Sequence, residues 1–169
     1  PIGRVPVPCA SAYEPLPAFF EQMKVNVKLN GLEDRVRCFN VAVAGDQTDR
    51  DLTIRGDGIF FPTLVPPDNT AGVATRVSCT NLIALLETND LARVDMLKMD
   101  VEGSEYDILY STPSHALERI RELRLEYHNL DNRDRNVNGL KQFLSARGYG
   151  ITREQAASPV NGTVWARHD

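Results

Sequence analysis

An open α/β sheet with helices packed on it is the fold this sequence predicts, and three observations predict it. Apolar runs alternate with amphipathic stretches through the second half of the chain, the pattern of a strand-helix layer architecture. The run from Val94 to Met99 stops at Asp100 and is followed by the acidic turn Glu102-Gly103-Ser104-Glu105, which is how a buried strand delivers a carboxylate to the rim of a sheet. A second run, Leu123 to Tyr127, ends on His128, with Glu126 two residues away on the same face of the strand. Two strand ends carrying Asp100, Glu126 and His128 point to a site rather than to evenly scattered surface charge.

The elements follow in order. Pro6 and Pro8 delay the first strand to Ala10–Tyr13, because proline cannot donate to a central ladder. Glu14-Pro15 closes it, and Pro17 fits the first turn of a helix running to about Asn30, with Phe20, Met23 and Val27 at helical spacing. Asn30-Gly31 ends that helix as a left-handed cap. Arg35–Val43 reads as one strand, and Gly45-Asp46 as the turn after it.

Residues 47–79 are irregular, with a short strand at Leu52–Ile54 and another at Val73–Ser78. Between them, Gly56, Gly58, Pro62, Pro66 and Pro67 surround the apolar residues Ile59, Phe60 and Phe61. Such an excursion is either a substrate-side arm or a loop packed on the core. A helix from Thr80 to Glu87, a strand from Arg93 to Met99, a helix from Gly103 to Tyr110 and a short helical piece after Pro113 come next. They lead to a strand at Glu122–Tyr127, a helix from Val137 ending at Gly148, and an antiparallel pair, Tyr149–Thr152 with Thr163–Ala166. The final pair makes the sheet mixed.

Composition restricts the function classes. With 169 residues, 42% of them hydrophobic, the chain is expected to form one domain over residues 1–169. A net charge of -4, from 23 acidic and 19 basic residues without a dense Lys/Arg block, argues against nucleic acid as a partner. Cys9, Cys38 and Cys79 are odd in number and have neither disulfide-scaffold economy nor Cys-x-x-Cys spacing, so the expected home is a reducing compartment, the cytoplasm. No segment has the apolar length of a membrane span.

Several segments together carry a family resemblance. They are Tyr13-Glu14-Pro15, the Asn26 to Val36 stretch around Asn30-Gly31-Leu32, Asn40-x-Ala42, the block Asp95 to Tyr106, Leu125-Glu126-x-His128, Gly148-Tyr149 and Trp165-Ala166. In order and spacing the chain resembles the FkbM-type S-adenosylmethionine-dependent methyltransferases. That resemblance implies a class I methyltransferase-like, Rossmann-like mixed sheet with helices on both faces and strand order 3-2-1-4-5-7-6. It also implies S-adenosylmethionine as cofactor and a hydroxyl group of a small molecule, such as a sugar or polyketide, as acceptor. The family has a first strand and a glycine-rich cofactor loop before its Glu-Pro strand, whereas only Gly3 precedes Glu14 here. The domain is therefore expected to be N-terminally incomplete in this sequence.

Roles follow the same comparison. Glu14 sits where the family presents a carboxylate to the cofactor ribose, and a two-oxygen acceptor suits a diol. Asn40 and Ala42 lie where the family approaches the adenine. Asp100 is expected next to the transferred methyl group, orienting the acceptor or holding the cofactor amine, and Glu102 in the turn is a further cofactor contact. For Glu105, capping of the helix start suffices. His128, with Glu126, is the candidate base, or joins Asp100 and Glu126 around a divalent metal ion. Two other classes compete. A catalytically inactive fold serving as a binding or structural module is one. A dinucleotide-dependent oxidoreductase is the other, disfavoured because no G-x-G-x-x-G precedes Glu14.

Overall fold

Four strands in the order β7-β8-β10-β9 form the main sheet. They are β7 (Leu97–Met99), β8 (Glu122–His128), β9 (Tyr149–Ala156) and β10 (Asn161–His168). β7 and β8 are parallel, while β10 runs antiparallel to both β8 and β9. This is the mixed sheet expected. The computed structural model describes residues 10–55 and 72–168, so the apolar patch at Ile59, Phe60 and Phe61 lies outside the described residues.

A second, two-stranded sheet pairs β1 (Ala10–Tyr13) with β2 (Val36–Phe39) in parallel. Tyr13 lies opposite Phe39, their rings stacked at 4.9 Å. Between them runs α1 (Pro17–Leu29), with proline in its first turn and Gly31 at φ +62° beyond its end. The expected strand from Arg35 to Val43 is instead two. β2 stops at Phe39, the Asn40 side chain leaves the ladder, and β3 (Ala42–Val43) pairs with β6 (Cys79–Thr80). β4 (Arg50–Arg55) and β5 (Gly72–Val77) form a further antiparallel two-stranded sheet.

The helices of the second half are α2 (Leu82–Thr88), α3 (Glu105–Ser111), α4 (Ser114–Leu117) and α5 (Val137–Ser145). Asparagines cap α2 and α5, Asn81 accepting from the amide of Ala84 and Asn136 from those of Asn138 and Gly139. Alternate residues of β8, Leu123, Leu125 and Tyr127, are buried, and they pack with Leu82, Leu86, Tyr106, Leu109, Leu140, Leu144 and Val164 into the main core. A smaller core joins Leu16, Ala42, Ala44, Leu52, Val77 and Cys79. No residue of α1 is buried. The expected strand at Arg93–Met99 shortens to β7, because Val94 makes an isolated bridge to Ile120.

The order β7-β8-β10-β9 is the 4-5-7-6 half of the order implied by the resemblance, and β1-β2 is its 2-3 half. Among the described residues no ladder joins the two sheets. Tyr13 links them through its side chain, packing against the main core and accepting a hydrogen bond from Asn89 Nδ2 at 3.0 Å.

Candidate active site

The parallel strands β1, β2, β7 and β8 deliver the candidate residues at their C-terminal ends, the edge at which open α/β sheets bind ligands. At the end of β7 the buried Met99 gives way to the exposed Asp100, whose Oδ2 lies 3.3 Å from Lys98 Nζ. The chain then turns through two residues of positive φ, Glu102 at +50° and Gly103 at +98°. Glycine meets the second conformation without a Cβ penalty, whereas Glu102 is held in the left-handed region at a cost typical of functional turns. Ser104 closes the turn, its amide donating to the Val101 carbonyl at 3.1 Å.

Glu105, the first residue of α3, is fully buried. Its Oε2 accepts from the Gly103 amide at 2.9 Å, and its Oε1 accepts from the His128 amide at 2.7 Å. The same Oε1 lies 3.3 Å from His128 Nδ1, while the other ring nitrogen, Nε2, lies 3.3 Å from Glu102 Oε2. Tyr106 donates its hydroxyl to the His128 carbonyl at 2.9 Å, fixing the same strand end from α3. His128 is thus gripped by backbone and by both ring nitrogens.

The electrostatics follow from that grip. The hydrogen bond to Glu105 raises the His128 pKa above its ordinary 6.5, against the opposing effect of burial, and the charges of Glu105, Glu102 and Glu126 push the same way. Burial raises the Glu102 pKa, His128 opposes, and Asp100, Glu126 and Glu105 add to the rise. Glu126 therefore adds to the acidic field around the imidazole, and Asp100 to the field around Glu102. The metal alternative finds no support in this arrangement. The ring nitrogens of His128 face Glu102 and Glu105 rather than Asp100 and Glu126, and no group of three or more ligating side chains among the described residues is arranged to hold an ion.

Across the sheet opening, Glu14 follows β1 half-buried, its Oε1 accepting from the Leu16 amide at 2.8 Å, and burial raises its pKa. Asn40, at the end of β2, donates from Nδ2 to the carbonyls of Glu14 and Pro15, both at 2.9 Å. Its amide shapes the loop that carries Glu14. Ala42 is buried in β3 within the smaller core. The placement thus brings His128 together with Glu102 and Glu105, and Glu14 with Asn40.

Sequence reasoning passed over Glu105, reading it as a helix-capping acid. A signal was present: Glu105 stands three and four residues before Ile108 and Leu109, on the apolar side of α3. A carboxylate on a buried helix face needs partners, and here they come from another strand.

The methyltransferase FkbM domain matches residues 3–151. The chain belongs to the FkbM methyltransferase family. This FkbM-family chain is therefore a member of a group of S-adenosylmethionine-dependent methyltransferases, as its residues had suggested. The AMB antimetabolite synthetase AmbE of Pseudomonas aeruginosa is 31% identical to it over 94 residues, covering 53% of this chain and 4% of that protein. The solved METTL16 MTase domain shares its fold with a TM-score of 0.51 and 16% identity, over 94% of this chain and 49% of that one. The human methyltransferase 10 domain containing protein aligns at a TM-score of 0.46 and 16% identity, over 94% of this chain and 59% of that one. The chain spans about half the length of these solved structures and a small part of the synthetase. The mixed α/β, Rossmann-like expectation is met.

The chemistry of the strand-end residues is compatible with a diol-bearing cofactor. Glu14 offers a carboxylate at a strand end, with one oxygen already oriented by the Leu16 amide, and the amide of Asn40 holds the backbone beneath it. No helix among the described residues is long and apolar enough to cross a membrane.

Proposed function

We propose that this protein methylates a hydroxyl oxygen of a small molecule such as a sugar or a polyketide. The observation that carries the reading is the imidazole of His128 set among carboxylates at the ends of β7 and β8, in a family that uses S-adenosylmethionine. When bound, that cofactor supplies a methyl group on a sulfonium sulfur. Glu14 would accept the ribose hydroxyls, with Asn40 and Ala42 forming the floor toward the adenine and Glu102 a further contact. Asp100, exposed at the end of β7, would orient the acceptor or hold the cofactor amine. A hydroxyl nucleophile must lose its proton, and His128, assisted by the field of Glu126, would take it.

Similarity to a segment of an antimetabolite synthetase supports a small biosynthetic acceptor over a macromolecular one. The free thiols of Cys38 and Cys79 suit a reducing, cytoplasmic setting. Calorimetric titration of S-adenosylhomocysteine into the folded protein, repeated with Glu14→Ala, tests the reading. Saturable binding that weakens at least about tenfold in the variant, a loss of roughly 1.4 kcal/mol, is expected. Absence of binding to the folded chain, or equal binding by both proteins, refutes it.

A further inference from the structure

We propose that Glu105 is a positioning residue for His128, holding the imidazole with Nδ1 turned into the protein and Nε2 turned toward Glu102 at the strand-end site. Its functional meaning rests on the methyl-transfer reading, whereas the arrangement itself is independent of any ligand.

The two carboxylates flanking the ring are not equivalent. Glu105 has no exposed surface, while the Glu102 side chain retains 27% exposure. Glu105 accepts the amide protons of Gly103 and His128 in addition to facing Nδ1, so it joins the turn after β7 to the last residue of β8. Water cannot replace a ring N–H at a buried oxygen, but it can at Glu102. The neutral imidazole therefore keeps its proton on Nδ1 and leaves the Nε2 lone pair outward, as a buried carboxylate beside a histidine generally dictates. Protonation adds a second N–H, which Glu102 accepts.

The groups facing the ring come from every neighbouring element. They are Glu105 from α3, Glu102 from the turn and Glu126 from β8 itself. Asp100, at the end of β7, acts on Glu102. The Tyr106 hydroxyl is spent on the His128 carbonyl and does not compete for the ring. Nε2 is thus the atom left to receive a proton from an acceptor hydroxyl, with Glu102 moving aside.

Nitrogen-15 NMR of the imidazoles, recorded across a pH titration of the whole chain, tests this without cofactor or acceptor. His128 is distinguished from His115 and His168 by the signals missing in His128→Gln. The expected result is an Nδ1–H tautomer for neutral His128 in the native protein, retained in Glu102→Gln. In Glu105→Gln that preference should be lost and the titration midpoint should fall by about one unit or more. A dominant Nε2–H tautomer in the native protein, or an unchanged tautomer and midpoint in Glu105→Gln, overturns the proposal. If Glu105→Gln does not fold, the native tautomer and the Glu102→Gln spectrum decide alone. Failure of S-adenosylhomocysteine to bind would sink the methyl-transfer reading and leave this result standing, so the two can fail separately.

Discussion

Replacing Gly139 by alanine sets two effects of opposite sign against each other. Gly139 lies in the first turn of α5, where alanine normally stabilises a helix by about 1 kcal/mol relative to glycine. A Cβ there, however, would stand 2.7 Å from both the carbonyl carbon and the Cα of Asp134, and closer still to its carbonyl oxygen. Ordinary contact begins near 3.4 Å, so the Asp134 backbone must retreat by more than about 0.7 Å, its carbonyl oxygen furthest. It is poorly placed to do so. Its amide and those of Arg133 and Arg135 donate to Asp131 Oδ1, and its carbonyl accepts the Tyr110 hydroxyl at 2.6 Å. Weakening two such bonds at about 1 kcal/mol each, with overpacking strain of about 1–3 kcal/mol, outweighs the helix gain. Gly139→Ala should therefore lose about 2–4 kcal/mol in urea unfolding, and its Tm should fall by about 4–16 °C. A variant as stable as the parent, or more so, would show that the loop from Asp131 to Asn136 yields freely and that its hydrogen bonds do not fix the start of α5.

Two further outcomes follow from the same structure. The Tyr149 hydroxyl lies 2.8 Å from the carbonyls of both Leu117 and Ile120, in a fully buried position. Tyr149→Phe should cost about 1–3 kcal/mol in chemical denaturation, and an unchanged midpoint would mean that these carbonyls find other partners. For His128 the folded pKa is raised, so its stabilising contribution is complete below its ordinary value of 6.5 and is lost as pH climbs through the higher folded value. Glu102, also raised, works in the same direction from 4.5 upward. Denaturation midpoints compared between the native protein and His128→Gln should converge as pH rises from 6.5; a difference that stays constant or widens would contradict the assigned grip.

Local signals made most of the elements legible. Proline and glycine bracketed α1, a short apolar run ending on His128 marked β8, and the helical stretch from Val137 to Gly148 marked α5. What stayed hidden depended on distant partners. The run Arg35–Val43 looks like one strand because apolar residues recur along its whole length, yet Asn40 turns aside to bond the carbonyls of Glu14 and Pro15, 26 and 25 residues away. Likewise, Val94 belongs by composition to the strand ending at Met99 but pairs by itself with Ile120. At the site, Asp100, Glu126 and His128 were visible as strand-end residues. The burial of Glu105 was not, since a carboxylate in a first helical turn usually serves the helix end, and only the fold brings His128 to it.

The unequal cores described above have a thermal consequence. Among the described residues, Glu14 and Asn40 stand beside the smaller cluster and an α1 without buried residues, whereas Glu105 and His128 are rooted in the larger one. Opening free energies should differ accordingly, the half that carries Glu14 exchanging its amides through small local excursions and the half that carries His128 mainly through global unfolding. A ligand held by Glu14 would then quiet the softer half most. Recognition there would be partly a matter of suppressed fluctuation, while Glu105 and His128 arrive already set.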